Sequence, residues 1–198
     1  MNVQPVQHLT ISEYLALERE TETRYEYHNG EVTAMAGGTI AHGLLCGNVF
    51  GELRTALRNK GKGCTPTTSE VKIHIQATNR ILYPDAAVTC GQLEPSEAAA
   101  GAITNPTVIF EVLSKSTAGY DRGEKFYHYR QLDSLQEYVL LEQDKPQIEL
   151  YRKQSGLWDI SRISGLDSVL YLASLDVHLK LSELYQDIPL SGSFTLSE

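Results

Sequence analysis

Apolar residues at Leu45, Val49, Leu53 and Leu57 recur every four positions, a spacing that puts them on one face of an α-helix. Thr39 can cap the start of that helix and Gly61 and Gly63 mark its end, so a long helix is predicted to reach about Lys60. Its far face carries Arg54, Arg58 and Lys60. Upstream, Thr10 with Glu13 three positions later forms a capping box and predicts a helix from about Ile11 to Glu20. Tyr25 to His28 and Glu31 to Met35 flank Asn29-Gly30, the dipeptide that best tolerates a two-residue hairpin turn. Ser69 to Gln76 and Arg80 to Cys90 read as neighbouring strands joined by the polar turn Ala77-Thr78-Asn79. Residues 91 to 106, rich in Gly, Pro, Ser and Ala, read as a mobile loop without chemistry. Thr107 to Leu113 is an almost unbroken apolar run of strand length, which implies a strand buried on both faces. Asp121 with Glu124 opens a helix through about Leu132; strands follow near 137 to 143, 147 to 152 and 157 to 163, and a helical turn near Leu181 to Tyr185.

Composition adds few constraints. A chain of 198 residues with 41% hydrophobic and 21% charged residues is long enough for one sizeable core, so a single domain over residues 1 to 198 is the expectation. No run approaches the length of a membrane span, and the N-terminus lacks a basic region followed by an apolar one, which predicts a cytoplasmic protein without membrane contact. Cys46, Cys64 and Cys90 are widely spaced and would leave an odd thiol if two were bridged, so a reducing compartment fits best. The net charge of -8 argues against nonspecific coating of nucleic acid. Local basic stretches remain at Arg54, Arg58, Lys60 and Lys62, and at Lys115, Arg122, Lys125 and Arg130; each is either a binding face or an ordinary solvated helix surface.

The most informative feature is an acidic residue inside each of two apolar strands. Asp85 lies in Ile81-Leu82-Tyr83-Pro84-Asp85-Ala86-Ala87-Val88 and Glu111 in Val108-Ile109-Phe110-Glu111-Val112-Leu113. An ionised carboxylate taken from water without a partner costs several kcal/mol, so such groups are paired, protonated or bound to a cation. Pro84 cannot donate to a sheet ladder and suggests a bulge or edge that redirects Asp85. Pairing with basic side chains is the structural explanation. A hard divalent cation held by carboxylate oxygens is the functional one.

Pro84-Asp85 followed by Glu111 resembles the metal-binding signature of the PD-(D/E)XK restriction-endonuclease-like superfamily. More specifically, the chain resembles the Uma-two family of restriction endonucleases. The residues carrying that likeness are Tyr25-Glu26-Tyr27-His28-Asn29-Gly30-Glu31-Val32, Met35-Ala36-Gly37, His42, Tyr83-Pro84-Asp85, Glu111-Val112-Leu113-Ser114-Lys115-Ser116-Thr117, Asp121 to Lys125, Tyr129 and Glu137-Tyr138. The resemblance implies an α/β (α+β) fold: a mixed β-sheet flanked by helices, with an N-terminal helix and hairpin. It also implies metal-dependent phosphodiester hydrolysis, in DNA, with Mg²⁺ or Mn²⁺ on Asp85 and Glu111. The superfamily lysine two residues after the glutamate falls here on Leu113.

Lys125 is the preferred substitute, because the helix opening at Asp121 could return a long side chain to the metal; a surface lysine is the alternative. Lys115 is the second choice. Glu70, in the strand tripeptide Glu70-Val71-Lys72, is a candidate third metal ligand or an exposed strand residue. His42 could bond a phosphate or a bound water near the helix start, or simply cap it. Glu31, and with less weight Glu26, are kept as site members because of the resemblance. Ser114, the six histidines and Gly37-Gly38-Thr39 lack the companions that serine hydrolysis, structural zinc or nucleotide binding would need. The aromatics Phe126, Tyr127 and Tyr129 could stack on bases, but at helical spacing aromatics are more often core. The competing class is a weak or inactive nuclease fold that binds nucleic acid or self-associates. Action on both strands of a duplex also predicts a homodimer.

Overall fold

The computed structural model describes residues 8–35, 37–60 and 63–190. The capping box forms as expected: Thr10 N–H donates to Glu13 Oε2 at 2.8 Å, the Glu13 N–H donates to Thr10 Oγ1 at 3.3 Å, and α1 runs over Ile11–Thr21. Strands β1 (Tyr25–His28) and β2 (Glu31–Ala34) form the hairpin, with Asn29 and Gly30 both at positive φ as its turn requires. Helix α2 spans Ile40–Lys60, with the His42 N–H donating to Thr39 Oγ1. Its four periodic apolar residues are all buried. Ala36, Gly61 and Lys62, to which the sequence assigned roles in the family likeness, the helix end and a basic stretch, lie outside the described residues.

Two sheets dominate the mixed α+β architecture. The larger has six strands in the order β11-β10-β9-β8-β6-β3: Leu157–Ser164, Gln147–Gln154, Glu137–Glu142, Val108–Leu113, Ala86–Cys90 and Cys64–Thr68. Only the central β8/β9 pair in it is parallel. The second sheet has five strands, β2-β1-β5-β4-β7, with β4 at Lys72–Ile75, β5 at Arg80–Leu82 and β7 at Ala102–Ile103.

Strand β8 is central, and its alternation assigns its residues to two cores. Val108, Phe110 and Val112 pack with α2. Ile109 and Leu113 pack with Phe126, Tyr129 and Tyr138 on the other side. The α2 core is closed by the pair β12 (Val169–Leu172) and β13 (Val177–Lys180) and by α5 (Leu181–Leu184), through Leu170, Leu172, Val177, Leu179, Leu181 and Leu184.

Several expectations are corrected. Residues 80 to 90 are two strands rather than one: the chain leaves the small sheet after Leu82 and joins the large one at Ala86, turning through Pro84-Asp85. Pro84 has no N–H to give a ladder, which suits a departure point. The predicted helix from Asp121 begins earlier, as α3 (Ala118–Tyr120), passes through a wide π turn at Asp121–Lys125, and ends as α4 (Phe126–Tyr129). The loop read as mobile contains β7, which pairs with β4, and the buried Ser96, whose Oγ lies 2.6 Å from His74 Nδ1. Strand β3 was missed because Cys64-Thr65-Pro66-Thr67-Thr68 lacks apolar alternation; it is an edge strand, where Pro66 costs no ladder bond on its open side. Cys64 and Cys90 face each other across β3 and β6 and form a disulfide, which 26 residues of separation concealed. Among the described residues no helix is long and apolar enough to cross a membrane.

Candidate metal centre

The crossing between the sheets sets Asp85. Its Oδ2 accepts the Val112 N–H at 2.7 Å from β8, and its Oδ1 accepts from His42 Nε2 at 3.0 Å in the first turn of α2. Burial works to raise the Asp85 carboxyl, but His42 and the Val112 N–H together hold it below the ordinary range. The same hydrogen bond raises His42 against the effect of its burial. Gly38 makes room for that imidazole: a Cβ there would fall 2.8 Å from His42 Cδ2.

Glu111 follows from strand alternation. It shares the Ile109 and Leu113 face of β8 and points toward the π turn. That turn brings Asp121 and Lys125, both buried, to one side. Lys125 Nζ lies 2.9 Å from Glu111 Oε1, 3.3 Å from Glu26 Oε1 and 3.9 Å from Asp121 Oδ1, and donates to the Tyr83 carbonyl at 3.4 Å. Glu26 is held in turn by the Tyr120 hydroxyl, which donates to Oε2 at 3.4 Å. The Tyr138 hydroxyl donates to the Asp121 carbonyl at 2.9 Å.

Burial favours the neutral form of Lys125, yet Glu111, Glu26 and Asp121 outweigh it and keep the ammonium charged. Burial pushes the Glu111 carboxyl well up; Lys125 opposes this, while Asp85 and Asp121 reinforce it. Asp121 is raised by burial, with Asp85 and Glu26 reinforcing the shift and Lys125 and Thr117 opposing it. Four carboxylates thus meet one lysine and two histidines, His42 at Asp85 and His28 at 3.7 Å from Glu26, where burial lowers the imidazole. Glu111 Oε1 is buried without a well-aligned hydrogen bond despite the nearby ammonium. An excess of buried acid with an unsaturated oxygen fits a hard divalent cation, which takes carboxylate oxygens and keeps several waters. Asp85 and Glu111 are the pair the sequence offers for such an ion.

Not every candidate comes to the cluster. Glu70 lies in the turn before β4 with its side chain 69% exposed and ion-paired to Arg24; it is not a strand residue beside Asp85. Glu31 is exposed on β2, opposite His28 in the hairpin register. Leu113 is core, and Lys115 is exposed beyond the end of β8. The second basic stretch does not form one surface, because Lys125 is buried and Arg122 is bound to Glu142 and Glu149. On α2, Lys60 is exposed and pairs with Asp176, and Arg54 and Arg58 are exposed beside it in sequence. Glu26, a minor site member in the sequence, and Asp121, there only a helix opener, both join the cluster; the four-residue spacing of Asp121 from Lys125 is the signal for the latter.

The comparisons agree with this architecture. The family model Uma2, described as "Putative restriction endonuclease", matches residues 11–182. The chain is 33% identical over 187 residues to "Uncharacterized protein slr1290" of Synechocystis sp. (strain ATCC 27184 / PCC 6803 / Kazusa), covering 93% of this chain and 95% of that protein. It is 32% identical over 158 residues to "Uncharacterized protein sll1609" of the same organism, covering 79% and 88%. The crystal structure of "a putative nuclease belonging to DUF820" from Anabaena variabilis ATCC 29413 superposes with a TM-score of 0.72 at 18% identity, over 89% of this chain and 97% of that one, and so shares the fold.

Proposed function

Because the chain belongs to the Uma2 family of restriction-endonuclease-like proteins, we propose that it hydrolyses phosphodiester bonds in DNA, using Mg²⁺ or Mn²⁺ held by Asp85 and Glu111. The observation that carries this reading is the buried Lys125 ammonium 2.9 Å from Glu111, within a group of carboxylates that outnumber their cationic partners. Lys125 takes the part of the lysine that Leu113 does not supply, although it comes from the π turn and not from β8. When bound, the cation would neutralise phosphate charge and acidify the attacking water. Asp85 is kept anionic and oriented at the crossing between the sheets by the Val112 N–H and His42. Lys125 is positioned to orient the attacking water and to offset negative charge as it develops on the phosphate. Glu26 and Asp121 fix the ammonium. Cleavage of both strands calls for a two-fold dimer, for which the exposed Leu157 and Ile160 on the outer edge strand β11 are the candidate contact; sedimentation of L157K/I160K against wild type tests it.

Nicking of supercoiled plasmid by purified protein with Mg²⁺ or Mn²⁺, beside EDTA, Asp85→Ala, Glu111→Ala and Lys125→Ala, is the decisive experiment. Metal-dependent nicking lost in both carboxylate variants is the expected result. No cleavage under either metal, or cleavage that survives both variants, would replace this reading with that of an inactive nucleic-acid-binding or self-associating fold.

A further inference from the structure

Magnesium chemistry leaves one group beside the centre without a task. Cys46 lies one helical turn after His42 on α2, so both side chains point toward Asp85. A ring nitrogen of His42, Cys46 Sγ and an Asp85 oxygen all lie within 4.8 Å of one another. Cys46 is also the one cysteine outside the disulfide. A thiol is a poor ligand for Mg²⁺, which prefers oxygen, and a good one for zinc-class ions.

We propose that His42, Cys46 and Asp85 form a second cation site, selective for a thiophilic divalent ion of the zinc class. A four-coordinate zinc ion takes nitrogen at about 2.0–2.1 Å, sulfur at about 2.3 Å and carboxylate oxygen at about 2.0–2.2 Å, so tetrahedral ligands stand roughly 3.3–3.6 Å apart. The donor atoms already lie within 4.8 Å of one another, so no pair is more than about 1.5 Å wider than that spacing. All three are partly exposed, which leaves the fourth position open to water or to an anionic group from solution. Two features hold the imidazole in place: Asp85 Oδ1 lies 3.0 Å from its Nε2, and Gly38 leaves the space the ring fills. Nitrogen and sulfur donors rank zinc far above magnesium or manganese, so the site fills in the presence of either. Where the nuclease reading also holds, Asp85 is shared, and zinc bound here competes with the hydrolytic cation for that carboxylate.

The test needs no substrate and is independent of whether the protein cleaves DNA. Cobalt(II) is titrated into the full chain in excess Mg²⁺ while absorption is recorded, and zinc binding is followed by calorimetry. The expected result is one equivalent of cobalt with a thiolate-to-metal charge-transfer band in the near ultraviolet. That band is lost in Cys46→Ser and His42→Ala and retained in a C64S/C90S variant. Zinc should also slow alkylation of Cys46 by iodoacetamide in the wild-type protein, a readout that does not depend on any variant folding. No charge-transfer band in the wild type, a band that persists in Cys46→Ser, or alkylation indifferent to zinc would overturn the proposal.

Discussion

Replacing Lys125 by Met removes a charge and keeps most of the apolar stem, so it isolates the ammonium's part in holding the centre together. The Lys125 and Glu111 side chains are 8% and 4% exposed, so screening by solvent is slight. At 2.9 Å, an effective dielectric of about 20 gives a gross attraction of roughly 6 kcal/mol for the pair, before desolvation is counted. Losing one partner of a buried pair costs about 3–5 kcal/mol, because the other charge stays buried. Lys125→Met should therefore lose about that much stability at neutral pH in chelator-treated buffer, measured by urea denaturation. Glu111→Gln should lose less, because Glu26 and Asp121 still face the ammonium. The double variant should fall short of the sum of the singles by about 1–3 kcal/mol, the coupling expected of directly interacting residues. Singles that add to within about 0.5 kcal/mol, or a Lys125→Met loss below about 1 kcal/mol, would refute the assignment of Lys125 as the charge that organises these carboxylates.

Three other outcomes follow from the packing. Reducing the Cys64–Cys90 bond, which closes a loop across 26 positions, should lower stability by about 3.5 kcal/mol on the chain-entropy account, read as the difference in urea-denaturation free energy with and without dithiothreitol. Glu18 accepts from Lys72 at 2.6 Å and from the Tyr83 hydroxyl at 2.7 Å; burial works to raise its carboxyl, but these donors and the Tyr25 N–H hold it below the ordinary range. Its stabilising effect is complete above the unfolded value and is lost as pH falls through the lower folded value, so the stability gap between wild type and Glu18→Gln should be open at pH 7 and close in acid. Gly47 sits inside α2 with nothing within 4 Å of where a Cβ would lie, so Gly47→Ala should stabilise by about 0.5–1 kcal/mol in thermal or urea unfolding.

The sequence made some parts of this molecule legible and hid others for identifiable reasons. The capping box at Thr10 and Glu13, the Asn29-Gly30 turn, the four-residue period of α2 and the unbroken apolar run of β8 each encode structure locally, and each formed. Lys125 was selected because a helix after β8 could return it to the carboxylates, and its ammonium does lie 2.9 Å from Glu111. Glu70 was placed on a strand by the same local logic and instead lies in a turn, because β4 begins only at Lys72. The break at Pro84-Asp85 shows the limit more clearly. Residues 80 to 90 look like one strand because nothing local records that their two halves belong to different sheets. The hairpin β12–β13 was passed over because exposed Val169 and Tyr171 alternate with buried Leu170 and Leu172 over only four residues. The Cys64–Cys90 pairing depended on the register of β3 against β6, which is a long-range property.

The cluster draws Glu26 from the hairpin, His42 from α2, Asp85 from the crossing, Glu111 from β8 and Lys125 from the π turn, so five segments spanning a hundred positions must be docked before it exists. A fragment that ends before Lys125 lacks the ammonium that draws these carboxylates together, so the centre belongs to the assembled fold and to no one of its segments.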